Sequence, residues 1–412
     1  MRSSAVAVAL LLAFDAQAET VDVTVTTLVA GRQDPRDGNL YSSVPIFENV
    51  SLTVADVRLR YVEDLRLVVA GWGELEFLVT DSKLGATGDL DIGYVEGKIF
   101  RRHLQLRLGR QLVFGGAARA QPMDGASATI AIRRHLALNI YGGVPVTPRF
   151  GVHQGDFMTG GRLSWRATVD SEVGLSYIEV LKDGLQGRQD LGADGRWRVR
   201  RSLTLTGYAL LSLIELRLVE ADVAANWQPR TTLQVGADYR RTSPDLFLPR
   251  NSILSVFSQE TRDQVGANVW WRPLSRLKAE ADYHLILAEA GTGHEGGGRL
   301  TATLGPTWQT TLAAEARVLR LATANGYVQG RIYGIERISS NVTATVDLDL
   351  YSLEQPINGQ TLSLTGAATV GWNLSLHWRA VVTGIADTTP QVGRRFECMA
   401  KLVYDSVHRV RR

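Results

Sequence analysis

The sequence predicts an all-β fold: a single antiparallel transmembrane β-barrel of about 22 strands (range 18–22), with both termini periplasmic. Three observations carry this reading. From Val21 onward the chain repeats segments of alternating apolar and polar residues, each followed by a short turn. After the first residues, no run approaches the roughly 18 apolar residues that a membrane helix needs. The hydrophilic phase of each segment is too charged for a protein core, while its other phase is steadily apolar, as in Leu233, Val235, Ala237 and Tyr239 against Gln234, Gly236, Asp238 and Arg240. A strand sends successive side chains to opposite faces. A closed barrel, with lipid outside and water inside, satisfies both faces and leaves no edge strand.

The elements follow in order. Met1 to Ala18 carries Arg2, an apolar stretch from Ala5 to Phe14 and the small-residue site Ala16-Gln17-Ala18. It reads as a secretory signal peptide, too short to span, cleaved after Ala18. Residues 19–412 then form the barrel, opening with a strand over Val21–Ala30. Short turns are expected near Glu63-Asp64, Arg101-Arg102-His103, Arg133-Arg134-His135, Val169-Asp170, Arg200-Arg201, Gln228-Pro229-Arg230, Pro273-Leu274-Ser275, Thr307-Trp308-Gln309, Ser339-Ser340 and Asn373-Leu374. Longer connections fall between them, at Arg32–Asn49, Asp81–Asp89, Gly115–Asp124, Pro145–Asp156, Thr242–Thr261, Glu289–Gly297 and Ser352–Gln360. Successive short turns lie roughly 30 to 45 residues apart, one hairpin plus its far loop, and the asymmetry places short turns in the periplasm and long loops outside. A closing strand from Gly393 to Asp405 ends its apolar phase on Tyr404, with eight residues, Asp405 to Arg412, beginning there and running past it.

Composition agrees. The chain is 45% apolar, yet its mean hydropathy is -0.04, as expected when alternate residues face lipid. Its 40 Gly and 9 Trp suit strand kinks and interfacial girdles. A net charge of +3 gives no reason to expect a nucleic-acid partner. Cys398 is the single cysteine, so no intrachain disulfide can form. No linker or low-complexity tract divides the chain, and one domain is the reading.

The stretch Leu104-Gln105-Leu106-Arg107-Leu108-Gly109-Arg110-Gln111, followed by Arg119 and then Asp124-Gly125, resembles a passage of outer-membrane porins, most nearly those of the alginate-export and substrate-specific type. In those barrels a strand carrying Gly-Arg-Gln leads to an extracellular loop and a strand opening with Asp-Gly. The resemblance covers about 40 residues, as one hairpin of a barrel would. It implies a channel whose charged lumen guides polar or ionic solutes, and the aromatic end of the closing strand resembles the signal read by barrel-assembly machinery.

If the apolar phase faces lipid, the opposite phase places Glu74, Glu76, Arg107, Arg162, Arg166, Asp190, Asp194, Arg196, Arg198, Asp238, Arg240, Lys278, Glu280, Asp282, Glu315, Arg317, Asp347, Asp349, Arg379 and Lys401 in the lumen. Such charges set selectivity by field and pore width, or pair across strands and solvate the wall. The segment Ser243 to Phe257 is unusually apolar for a loop, through Leu246, Phe247, Leu248, Ile253, Leu254, Val256 and Phe257. It is a candidate constriction folded into the lumen, or else an outer lid or a strand extension. The first strand begins almost at the cleavage site and leaves no room for a plug. The seven histidines lack metal-ligand spacing, and no Gly-x-Ser-x-Gly motif or phosphate loop occurs. No enzyme, metal site or cofactor is expected. The expectation is an outer-membrane channel for passive passage of small hydrophilic or charged solutes, with outer-membrane lipid, the assembly machinery and a small polar solute as partners. Export of a secreted polysaccharide, or a non-conducting surface or scaffold barrel, are the alternatives.

Overall fold

Alternation at period two becomes strand over nearly all of the chain described by the computed structural model. The described residues are 20–36, 39–57, 61–78, 83–100, 103–146, 156–243, 261–305, 309–322, 326–390 and 393–409. The expected signal peptide and the segment Leu246–Phe257 lie outside them. The first strands are β1 (Thr20–Arg36), β2 (Asn39–Val57), β3 (Glu63–Leu78), β4 (Lys83–Ile99), β5 (Leu104–Val113), β6 (Gln121–Arg133) and β7 (Leu136–Pro145). They are followed by β8 (Phe157–Thr168), β9 (Ser171–Lys182), β10 (Leu185–Arg200), β11 (Leu203–Ser212), β12 (Arg217–Arg230), β13 (Leu233–Thr242), β14 (Arg262–Leu274) and β15 (Leu277–Ala288). The last are β16 (Gly291–Leu304), β17 (Thr310–Arg320), β18 (Tyr327–Arg337), β19 (Val342–Ile357), β20 (Gln360–Asn373), β21 (Trp378–Thr389) and β22 (Gly393–Arg409).

Each strand pairs antiparallel with its neighbours in sequence, and β1 also pairs with β22 from Thr20↔Arg409 to Gly31↔Cys398. The sheet is therefore a closed antiparallel barrel of 22 strands, the expected number. The closing strand runs to Arg409 rather than stopping at Asp405, because β1 begins at Thr20 and supplies partners for Ser406 to Arg409.

The two phases separate by face. On β14, before its register shift, the exposed large apolar side chains are Val265, Val269 and Trp271; on β19 they are Val346, Leu348 and Leu350, alternating with Asp347 and Asp349. The apolar parity is the outer wall. Trp165, Trp197, Trp227, Trp271, Trp372 and Trp378 share that parity, and all sit within a few residues of a short turn. They form a girdle at one rim, closed locally by Trp165 against Trp197 (6.1 Å between ring centroids) and Trp378 against Tyr404 (4.8 Å).

Several connections differ from expectation. Arg32–Asn49 is not a loop: β1 and β2 continue as a hairpin to Arg36↔Asn39. Most of Asp81–Asp89 is the upper half of β4, and most of Glu289–Gly297 is the start of β16. Ser352–Gln360 is strand up to a two-residue turn, Asn358-Gly359, with both φ angles positive at 49° and 76°. Asp183-Gly184 repeats it at 52° and 77°. Asn-Gly and Asp-Gly adopt this twist-matched hairpin turn readily, which lets strands run on where polar composition reads as loop. The turns expected at Gln228-Pro229-Arg230 and Pro273-Leu274-Ser275 fall a little later, since each proline sits in a register shift within its strand.

Candidate functional site

The inner wall carries the charge. Arg107 on β5, Arg162 and Arg166 on β8, Asp190, Asp194, Arg196 and Arg198 on β10, and Asp238 and Arg240 on β13 occupy the parity opposite the exposed apolar residues. So do Lys278, Glu280 and Asp282 on β15, Glu315 and Arg317 on β17, Asp347 and Asp349 on β19, and Arg379 on β21. Most are ion-paired. Arg107 donates to Glu96 Oε2 at 2.8 and 2.5 Å and stacks over Tyr94. Arg162 bridges Asp194 (2.9 and 2.5 Å) and Glu172 (3.0 Å), and Arg166 also donates to Glu172. Arg198 meets Asp170 at 2.5 Å, Arg240 meets Asp222 at 2.9 Å, and Arg331 donates to Asp347 at 2.9 Å. Glu280 pairs with Arg299 and lies 3.8 Å from Lys278, Glu315 lies 3.8 Å from Arg317, and Asp349 accepts from Gln329 at 3.0 Å. Arg196, Arg379 and Lys401 have no ion-pair partner among the described residues. Half-exposed pairs of this kind contribute roughly 0–1 kcal/mol each, so their weight lies in the field and width of the lumen rather than in stability.

Glycines hold the rows of charge together, and period-two reading does not find them. Asp238, Gly266 and His284 stand in one row across β13, β14 and β15. The imidazole lies flat over Gly266, where a Cβ would stand 2.1 Å from it, and its Nε2 reaches Asp238 at 3.3 Å. Asp282, Gly297 and Arg317 repeat the arrangement across β15, β16 and β17, with Arg317 also meeting Glu295 at 2.8 Å. Arg162 crosses Gly174 to Asp194, and a Cβ on Gly174 would lie 2.6 Å from its Nε. The partners Glu96, Glu172, Asp222, Glu295, Arg299 and Arg331 were missed although they share the inner parity; extending the parity count to every strand would have found them.

One connection is folded inward. Residues 114–120, between β5 and β6, contain a 3₁₀ turn (Gly116–Ala118) that packs on the inner faces of β9, β10 and β11. Ala117 N–H donates to Ser176 Oγ at 2.7 Å, Ser176 donates on to Gly192 O at 3.2 Å, and Arg188 donates to Ala117 O at 3.2 Å. Arg119 pairs with Glu220, and Arg188 with Asp190. Burial lowers the pKa of Arg119 from its ordinary value, against an opposing pull from Tyr208. Beneath the turn, Met123, Tyr141, Met158, Ile178, Val180 and Leu210 form an apolar cluster on the inner wall. Full burial of a Met or Ile side chain stabilises by roughly 1.5–3 kcal/mol, and the loop joins this cluster through Ala117 and Ala118. Gly116 has φ 56°, and a Cβ there would stand 1.9 Å from Ser176 Oγ, so this close approach needs glycine. A cavity of about 660 Å³ opens beside the loop, lined by Arg119, Arg162, Arg166, Arg196, Glu172, Asp194 and Asp222 among others.

Fold and inner wall together define a closed 22-stranded antiparallel barrel with a polar, charged lumen narrowed by an anchored loop. Comparison with known proteins agrees at the level of fold. The P pilus usher PapC translocation pore superposes with a TM-score of 0.51 at 11% identity, over 95% of this chain and 100% of that one. Two further solved structures are similar at lower scores: the outer membrane protein OpdK from Pseudomonas aeruginosa, with TM-score 0.45 and 10% identity over 94% and 98%, and OccAB4 from Acinetobacter baumannii, with 0.42 and 10% over 95% and 99%. No protein-family model and no curated protein sequence matches the chain.

Proposed function

We propose that the protein is an outer-membrane channel for the passive passage of small hydrophilic or charged solutes, and not an enzyme. The observation that carries this reading is the inner wall: rows of paired charge around a closed barrel, with a loop anchored inside it and an open cavity of about 660 Å³ beside that loop. The apolar outer wall and its tryptophan girdle suit a bilayer, and the short-turn rim would then lie in the periplasm with both termini. Acids and bases alternate along the described rows, with no unbroken basic strip. That supports a solute channel over an exporter of an anionic polysaccharide. The test is single-channel recording in planar bilayers with a panel of ions and neutral sugars. Discrete, ion-selective conductance is expected; a folded barrel that never conducts would leave the surface or scaffold reading standing instead.

A further inference from the structure

The ladder between β4 and β5 is the shortest in the barrel, running only from Ile99↔Leu104 to Gly93↔Arg110. Beyond it β4 continues back to Lys83 paired with β3 alone, while β5 pairs onward only with β6 before turning into the inward loop. Among the described residues, the β5-facing edge of β4 from Lys83 to Ile92 has no strand beside it. Two local devices part the strands. Asp91 is an extra residue between Leu90 and Ile92 in the register against β3, and such a bulge bends and re-aims its strand. Gly109 has φ 118°, and a Cβ there would lie 2.2 Å from Gly93 O, so glycine alone fits where the ladder ends.

Beside the parting the outer wall of β3 stays apolar. Leu75 and Phe77 of β3, opposite Ala86 and Leu84, still present exposed apolar side chains on the outer parity. An open strand edge at bilayer depth is tolerated only where it is buried in protein or lines a water-filled space; among the described residues no strand covers this edge, which argues for a notch continuous with the lumen. On the β5 side of the notch a cavity of about 180 Å³ is lined by Gln105, Gln111 and Ser127 of the inner parity and reaches Leu112 and Phe114. One side chain spans the gap in place of the missing ladder. Arg110 donates to Leu90 O at 2.7 Å and Asp89 Oδ1 at 3.1 Å on one side, and to both carboxylate oxygens of Asp124 at 2.8 Å on the other.

We propose that the β4–β5 notch is a lateral portal, latched by Arg110, through which a lumenal solute with an apolar body and a polar end passes into the surrounding bilayer. The polar end suits Gln105, Gln111 and Ser127 inside; the apolar body suits Leu112 and Phe114 at the opening. The proposal rests on the reading of a barrel in a bilayer, but not on conduction along its axis.

The test uses the full barrel in liposomes, with Cys398→Ser and single cysteines at Leu108, Phe114 or Ser127. Each is offered a long-chain N-alkyl maleimide dissolved in the bilayer or a sulfonated maleimide confined to water. The expected pattern is Leu108→Cys labelled from lipid, Ser127→Cys from water and Phe114→Cys from both. Arg110→Ala, and independently Asp89→Asn, should raise the lipid-phase labelling of Phe114→Cys severalfold. Labelling of Phe114→Cys from water alone, or a lipid-phase rate that neither latch variant moves, overturns the portal. Should Arg110→Ala not assemble, Asp89→Asn and the comparison of Phe114→Cys with Ser127→Cys decide. A Leu108→Cys that never reacts from lipid overturns the bilayer reading and the portal with it.

Discussion

Val235 and Gln234 are adjacent, yet they answer to different solvents. Val235 shares the outer parity with Trp227 and Val269 across the ladder, while Gln234 points inward and reaches Asn226 at 3.3 Å. An arginine facing the bilayer midplane costs roughly 2–4 kcal/mol and a lumenal one little. Val235→Arg should therefore lower the yield of folded barrel, measured as the compact band before heating, while Gln234→Arg should leave it near the native level. Equal tolerance would mean this strand does not divide lipid from water. At this scale parity was legible in the sequence, because facing follows directly from period two. The glycine rows were not. That Gly266 stands between Asp238 and His284 depends on register across three strands, which alternation within one strand does not specify.

The loop at 114–120 shows how a connection is misjudged by composition. Apolarity singles out Leu246 to Phe257 as a constriction, but the turn with a described inward path, residues 115–118, is built of glycine and alanine. It binds the wall through backbone hydrogen bonds and small side chains, with Ala117 fully buried, so it carries no apolar signature. The resemblance at Gly109-Arg110-Gln111 and Asp124-Gly125 did frame this connection, since those residues flank it on β5 and β6. Replacing residues 115–120 by a short flexible linker should raise single-channel conductance and weaken ion selectivity, with the barrel still assembling, because strand ladders close without it. Deleting Leu246–Phe257 is the matched comparison. If only that deletion raised conductance, the constriction would belong to the second segment. The Asn-Gly and Asp-Gly hairpins are legible in the twist their turns prefer, a signal that the polar composition of the stretch masks.

For the molecule as a whole, the strand count was readable from alternating connections even where individual loops were not, since misjudging a loop as longer leaves the number of crossings unchanged. Orientation can be tested directly. A tag inserted near Asn251 should be reachable on intact cells and one near Ser339 should not; the reverse would invert the barrel. The seam between β1 and β22 carries a different consequence, for the order of events during assembly. It pairs Val21 with His408 and Val29 with Ala400, residues separated by nearly the whole chain. The entropy of closing so long a loop is modest, rising by only about 0.6 kcal/mol per doubling of length. Order is the harder constraint, because the outer edge of β1 has no partner until the last strand of the chain is placed. Until the 17 residues of β22 are in place, the protein is an open sheet with two bare edges, each a template for another copy of the chain. A chain truncated before Gly393 is therefore expected to aggregate rather than to close, because its β1 edge is never covered.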